Sequence, residues 1–118
     1  MFELPIKPGV HPFDHFCDNL NWRLEGNLEK KFADLANGSF SYGKLARDMR
    51  CLAATFTANG LVTGDRVLVA SRDEDAVVKL FLALLRAGIT PVMGDAEITG
   101  PELGELMDVC DPAALYAD

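Results

Sequence analysis

Apolar residues recur at helical spacing in the middle of the chain. Successive members of one set are four, three and four positions apart: Leu45, Met49, Leu52 and Phe56. The charged residues between them fall on other faces, so this spacing predicts an amphipathic helix that starts after Tyr42. Asn59-Gly60 closes the pattern, because glycine takes the left-handed conformation that commonly follows a helix.

Two shorter patterns precede this helix. Apolar positions between Phe13 and Leu24 also follow helical spacing and predict a helix that ends near Gly26. Residues 32–36 and 39–42 then flank Asn37-Gly38, a residue pair suited to a tight type I′ turn. We expect a β-hairpin here.

From residue 66 onward, strand-like and helix-like segments alternate. The predicted elements are a strand at 66–70, a helix from Asp73–Asp75 to Ala87, a strand at 89–93, a helix from the Thr99-Gly100-Pro101-Glu102 capping box to Cys110, and a strand at 113–116. The unbroken apolar centre of the first strand is typical of a strand covered on both faces. This alternation predicts a parallel sheet, so the fold class is α/β, a β-hairpin plus a βαβαβ unit.

Domain organisation follows from the same pattern. Residues 1–12 contain three of the six prolines and predict an extended N-terminal arm, and residues 13–118 predict a single α/β domain. The helix that contains Val77–Leu85 is apolar on several faces, so we expect it to pack against a further neighbour besides the sheet.

Composition narrows the classes of partner. The 118 residues include 11 basic and 18 acidic side chains, for a formal net charge of −7, which argues against nucleic acid and anionic membrane surfaces. The apolar stretch at 76–89 is interrupted by two basic residues and is too short to cross a bilayer. The N-terminus lacks the order of a signal peptide, so a cytoplasmic location is expected. We expect Cys17, Cys51 and Cys110 to be reduced, with Cys51 a buried thiol.

Few residues suggest chemistry directly. The ten glycines are dispersed, and neither GxGxxG nor GxxxxGK[ST] occurs. His11 and His15 are four positions apart and could face one metal ion, but Pro12 between them and the lack of further ligands favour an exposed helix entry.

Acidic side chains follow two of the predicted strands. Asp73, Glu74 and Asp75 come after the first strand and Asp95 after the second. Carboxyl ends of parallel strands are where α/β sheets bind ligands, so these carboxylates could hold Mg²⁺. Helix capping by Asp73–Asp75 and a loop turn at Gly94-Asp95 are the favoured interpretation.

Two long segments carry a family resemblance. Residues 38–70 read GSFSYGKLARDMRCLAATFTANGLVTGDRVLVA, and residues 80–118 read LFLALLRAGITPVMGDAEITGPELGELMDVCDPAALYAD. The first resembles a motif in which a serine or threonine and a tyrosine start a helix leading to G-D-R-V. The second is similar to L-x-K-A-G-A-x-x-V-P-L-D-P, followed by an E-L-x-x-I-L-x-D-S-x-A helix and a strand ending in aspartate. Over about residues 28–118, the chain resembles the adenylate-forming (AMP-binding) superfamily, in particular acyl-CoA synthetases.

Three positions depart from the family pattern. Met93 and Ala96 stand where prolines are usual, and Ser71-Arg72-Asp73 replaces a turn that usually contains asparagine. Pro91 matches a variant of some aryl and acyl ligases. These departures bear on the choice of subfamily and leave the expected fold unchanged.

The resemblance implies a reaction. In that family a carboxylic acid and ATP give an acyl adenylate, and the acyl group then passes to CoA or to a carrier-protein thiol, as in fatty acid metabolism. The phosphate loop, the ribose-binding acid, the hinge and the catalytic lysine of the family have no counterpart in this chain. The resemblance therefore assigns no catalytic, cofactor-binding or metal residue here. ATP, Mg²⁺ and CoA are implied for the full-length enzyme and not for this chain.

We therefore expect the N-terminal scaffold portion of an acid-activating ligase, inactive alone. Its expected partner is the remainder of the ligase chain, or a second copy through exposed apolar surface. A free-standing, non-catalytic α/β interaction module is the alternative. A third hypothesis is an acidic signalling domain that uses Asp73, Glu74 and Asp95 around Mg²⁺, and the small number of strands disfavours it.

Overall fold

A computed structural model of the protein describes residues 19–36 and 38–118, in which strands and helices follow the predicted order. Residues 19–24 are helical. The elements that follow are β1 (Lys31–Leu35), β2 (Gly38–Ser41), α1 (Tyr42–Ala58), β3 (Arg66–Ala70), α2 (Glu74–Arg86), β4 (Thr90–Met93), α3 (Gly100–Cys110) and β5 (Ala114–Ala117). The expected arm at 1–12, the start of the first helix and Asn37 of the predicted turn lie outside the described residues.

The hairpin and the helix after it form as one continuous unit. β1 and β2 pair antiparallel, with Ala33 opposite Phe40, which confirms the expected hairpin. Tyr42 was expected to end the second strand, but it begins α1 instead. The reason is the helix cap: Ser41 has extended backbone, and its hydroxyl accepts a hydrogen bond from the Lys44 amide at 3.1 Å.

Glycine ends α1 as the sequence predicts. Gly60 has a φ of 74°, in the left-handed region. Its amide donates to the Thr57 carbonyl at 3.0 Å, and the Leu61 amide donates to the Phe56 carbonyl at 3.0 Å. These two bonds make a Schellman motif, which satisfies carbonyls that the helix end would leave free.

The second sheet is parallel, with strand order β4-β3-β5. β3 lies between the other two strands and pairs parallel with both. This confirms the α/β fold class and the βαβαβ unit. β5 begins one residue later than predicted, because the turn after α3 places Asp111 in the left-handed region, with a φ of 44°, before the chain extends.

The core lies between the parallel sheet and the layer formed by α1 and α2. Val67 and Val69 of β3 face this layer and cluster with Leu45 of α1 and Leu84 of α2, both fully buried. The α1–α2 packing supplies the further neighbour that was expected for α2. Leu68 points to the opposite face, because successive side chains of a strand alternate.

The last helix is covered less well than the other two. Thr99 and Glu102 form the predicted capping box at its start. No residue of α3 is buried, and Val109 is 84% exposed. None of the described helices has the length and apolar character needed to cross a membrane.

Candidate functional site

The carboxyl ends of β3 and β5 meet in a small network of hydrogen bonds. The Ser71 hydroxyl donates to Asp118 Oδ1 at 2.6 Å, and the Arg72 amide donates to Asp118 Oδ2 at 2.8 Å. These bonds, from Ser71 first and Arg72 second, lower the pKa of the Asp118 carboxyl. The Asp73 amide in turn donates to the Ser71 oxygen at 3.1 Å. The sheet edge that usually receives a ligand in α/β folds is here occupied by the chain's own side chains.

The acidic residues after the strands serve local structure. Asp73 caps α2 by accepting from the Ala76 amide at 3.2 Å. Asp95 accepts from the Glu97 amide at 2.9 Å and shapes the turn after β4. Both roles are those that the favoured interpretation predicts.

The two acidic residues after Asp73 contact other parts of the chain. Glu74 accepts from the Ala36 amide at 3.4 Å, and Asp75 pairs with Lys79 at 2.8 Å. Within residues 19–36 and 38–118, no three His, Cys, Asp or Glu side chains come together as a metal site would require. His11 and His15 lie outside the described residues.

A lysine that the sequence analysis did not single out joins three elements of the fold. Lys79 of α2 is 8% exposed, and its ammonium lies 2.8 Å from Asp48 Oδ2 and 2.8 Å from Asp75 Oδ2. The same ammonium lies 4.4 Å from the centre of the Phe40 ring in β2, a cation–π distance. Lys44 contacts the other oxygen of Asp48 at 2.9 Å. The hairpin, α1 and α2 are therefore held around one buried charge.

Charge pairing affects the pKa values of Asp48 and Lys79 more than burial does. Burial alone would raise the pKa of Asp48, but hydrogen bonds and charge from Lys79 and Lys44 hold it below its usual value. Burial alone would lower the pKa of Lys79, and the two carboxylates raise it instead. Asp48 and Lys79 are therefore charged across the neutral pH range.

A wide groove opens beside this cluster, on the helical side of the sheet, where α1 and α2 leave β5 uncovered. It encloses about 1040 Å³, with α1 as one wall and β5 along its opposite side. Ala114 and Tyr116 of β5 face it, since they pair with Val67 and Val69, which point to the same side. We call this the α1–β5 groove. Most of its remaining lining comes from α1 and α2: Lys44, Asp48, Cys51, Leu52, Thr55, Phe56, Asn59, Asp75, Ala76, Lys79 and Leu80.

The groove corrects one prediction about the cysteines. Cys51 was expected to be a buried thiol, but it is exposed on the α1 wall. The apolar stripe of α1 runs through Leu45, Met49 and Phe56, and Cys51 lies beside that stripe where no described element covers it. Cys51 and Cys110 are both free thiols, and Cys17 lies outside the described residues.

Spacing alone could have revealed part of the lysine cluster. Lys44–Asp48 and Asp75–Lys79 are each four positions apart within one helix, the spacing at which side chains of opposite charge meet. The Asp48–Lys79 contact depends on how α1 packs against α2 and has no local signal. The Ser71–Asp118 contact likewise depends on the pairing of β3 with β5.

Comparison with known proteins agrees with the fold and the motifs. The sequence profile of the AMP-binding enzyme family matches residues 21–118. Malformin synthetase mlfA of Aspergillus brasiliensis is 33% identical over 82 residues, which cover 70% of this chain and 2% of the fungal protein.

Solved structures share the architecture. The benzoate CoA ligase from Burkholderia xenovorans LB400 superposes with a TM-score of 0.77 at 25% identity, over 92% of this chain and 22% of the ligase. MatB from Rhodopseudomonas palustris superposes with a TM-score of 0.72 at 29% identity, over 85% of this chain and 21% of MatB. The chain thus spans about a fifth of each solved structure. The profile match extends over most of its length, and the protein belongs to the AMP-binding enzyme family.

Proposed function

We propose that this chain provides part of the scaffold of an ATP-dependent ligase that activates a carboxylic acid as an acyl adenylate and transfers the acyl group to a thiol. The observation that carries the proposal is the match of residues 21–118 to the AMP-binding family, together with a parallel sheet whose central strand is buried from Val67 to Ala70. In this proposal the chain positions other parts of the ligase and performs no chemical step itself.

The described residues do not fit ATP or Mg²⁺. Phosphate oxygens are held by clustered backbone amides, commonly with a lysine close by. Two donors at the carboxyl edge of the sheet, the Ser71 hydroxyl and the Arg72 amide, both donate to Asp118. The buried lysine, Lys79, is paired with two carboxylates, and no described cluster could hold a metal ion. We therefore propose that the chain alone is inactive, and that ATP, Mg²⁺ and CoA bind elsewhere in a complete ligase.

The likeness to a benzoate CoA ligase supports CoA as the acceptor thiol. It favours an aromatic or other small acid at least as much as a fatty acid. Free thiols at Cys51 and Cys110 suit a cytoplasmic enzyme, which completes the proposal.

Exchange of labelled pyrophosphate into ATP tests the proposal. The chain alone should give no exchange with benzoate or with a panel of aliphatic acids. A chimera in which this chain replaces the matching segment of the benzoate CoA ligase should fold and catalyse benzoate-dependent exchange. As a control, the same ligase with that segment deleted should be inactive. Exchange by the isolated chain would contradict the inactive-scaffold proposal, and a misfolded chimera would contradict the scaffold role.

A further inference from the structure

The hairpin is attached to the rest of the described structure through one buried side chain. β1 and β2 form a sheet of their own, which shares no strand with the parallel sheet. No residue of β1 is buried, and in β2 only Phe40 is, at 8% exposure. Segments with few buried apolar contacts are those that open locally while the rest of a protein stays folded. The hairpin therefore has the features of a unit that opens separately.

Aromatic contacts give the hairpin an internal structure of its own. The rings of Phe32 in β1 and Phe40 in β2 stack with their centroids 5.6 Å apart. The same face carries the pairing of Ala33 with Phe40 across the two strands. Cross-strand aromatic pairs stabilise a hairpin beyond the area that they bury. The two strands can thus leave the helical layer together, as one unit.

Lys79 of α2 holds the one buried side chain of the hairpin. Its ammonium lies 4.4 Å from the centre of the Phe40 ring, and two carboxylates fix that ammonium at 2.8 Å each. The Lys79 side chain is 8% exposed, and cation–π contacts are strongest where water is excluded. A second contact from α2, between Glu74 Oε2 and the Ala36 amide, is exposed and long for a hydrogen bond at 3.4 Å. The contact between Lys79 and Phe40 is therefore the stronger of the two.

We propose that Lys79 is a latch for the β1–β2 hairpin. While its ammonium lies against the Phe40 ring, the hairpin is closed on α1 and α2. When this contact is lost, the hairpin opens as a unit and the parallel sheet stays folded. Opening uncovers the apolar cluster that Phe40 joins, and it widens the end of the α1–β5 groove that Ser39, Phe40 and Ser41 line. The latch concerns a motion of this chain, and it goes beyond the proposed scaffold function.

Hydrogen exchange of the 118-residue chain, measured amide by amide by NMR at low urea concentrations, tests the separate opening. Amides of β1 and β2 should exchange faster than those of β3. Their rates should also depend less on urea, because opening the hairpin exposes less surface than global unfolding does. If the hairpin and β3 show the same free energy of opening and the same urea dependence, the hairpin opens only by global unfolding and the proposal is wrong.

Substitutions test whether Lys79 is the latch. Lys79→Leu should speed the exchange of hairpin amides about fivefold, since it removes the cation–π contact and adds no sulfur–aromatic contact in its place. Phe40→Leu should also speed it, and the double variant should add nothing beyond Phe40→Leu, because both changes remove the same contact.

Lys44→Met is the matched control for the charge change. It removes an ammonium from the same cluster, where Lys44 contacts Asp48 and Lys79 contacts Phe40, so hairpin exchange should stay unchanged. A different pattern would overturn the latch. If Lys79→Leu speeds exchange in β3 and leaves hairpin exchange unchanged, Lys79 joins only the two helices. If the effects of Lys79→Leu and Phe40→Leu are additive, the two side chains act independently.

Discussion

Removing the two carboxylates that hold Lys79 should destabilise the protein far more than removing Lys79 itself. The comparison is between the double variant Asp48→Asn with Asp75→Asn and the single variant Lys79→Met. The double variant leaves the positive charge of Lys79 without carboxylates, whereas Lys79→Met leaves the two carboxylates without Lys79. The Lys79 side chain is 8% exposed, while Asp48 is 25% and Asp75 38% exposed.

The expected magnitudes follow from that difference. In the double variant a buried ammonium loses both counter-charges, and an uncompensated buried charge costs about 3 kcal/mol or more. In Lys79→Met, Asp48 keeps Lys44 at 2.9 Å, and Asp75 can turn to water. Methionine also fills the space against Phe40, so we expect a cost of about 1 kcal/mol or less. A difference of about 2 kcal/mol corresponds to a shift of roughly 8 °C in melting temperature at this chain length.

Urea unfolding at pH 7, followed by circular dichroism, measures the two free energies of unfolding. The net charge of −7 has an effect opposite to the predicted one. The double variant makes the chain less negative and reduces its self-repulsion, whereas Lys79→Met makes the chain more negative. Lys44→Met is a further control, since that side chain is half exposed and its pair with Asp48 should contribute under about 0.5 kcal/mol. If Lys79→Met is as destabilising as the double variant, the reasoning from residual charge is refuted.

The pH dependence of stability supplies an independent check. In the native chain the pKa of Lys79 is raised, so its stabilising contribution is present below about pH 10 and is lost as pH rises through the folded-state pKa. The pKa of Asp48 is lowered, so its contribution is present above about pH 4 and is lost as pH falls. In the double variant, burial without counter-charges should depress the pKa of Lys79. Stability should then rise with pH as pH approaches 10, opposite to the native chain.

Three further predictions concern the helix ends, the sheet edge and the core. Gly60→Ala should lower the free energy of unfolding by about 1 kcal/mol, because Gly60 has a φ of 74°. Gly104→Ala within α3 should raise the free energy of unfolding by about 0.5 kcal/mol, since a Cβ there meets no neighbour within 4 Å. Thermal melting of the two variants should therefore shift in opposite directions, and a shared sign would contradict the assigned backbone conformations. Ser71→Ala should raise the pKa of Asp118 toward its usual value, which carbon-detected NMR titration of the carboxyl would show. An unchanged titration would mean that the Ser71 hydroxyl does not hold Asp118. Leu84→Ala should cost about 3 kcal/mol in urea unfolding, because the side chain is fully buried, and a cost below about 1 kcal/mol would place it outside the core.

Local signals account for the elements that were predicted well. Helix ends were foreseeable at Gly60 and Thr99, because a left-handed glycine and a capping box act within a few residues. The predicted end of the second strand at Tyr42 was wrong. Aromatic residues are compatible with a strand, but the cap at Ser41 starts the helix at Tyr42. The parallel sheet was foreseeable from the alternation of strands and helices. Its strand order was not foreseeable, because that order depends on contacts between residues distant in sequence.

Which side chains of the α1–β5 groove are exposed could not be predicted from local sequence signals. Cys51 lies among residues with apolar character, so its sequence context suggests a covered position. Its exposure follows from the absence of a described element over that side of α1. The apolar character of Leu115 and Tyr116 similarly suits a covered strand, although in the described structure they lie at an edge. Both mismatches lie along the α1–β5 groove.

The hydrogen bonds around Asp118 support the proposal that acid activation takes place away from the carboxyl edge of this sheet. A phosphate bound at the end of β3 would need the Ser71 hydroxyl and the Arg72 amide, and Asp118 already holds both at 2.6 and 2.8 Å. Displacing Asp118 would remove the hydrogen bonds that lower its pKa, but an aspartate without them is still charged at neutral pH and would repel the incoming anion. Anion binding there is opposed both by lost hydrogen bonds and by charge. The charged groups that line the α1–β5 groove, Lys44, Asp48, Asp75 and Lys79, are likewise paired with one another, so a phosphate would compete with carboxylates for each ammonium.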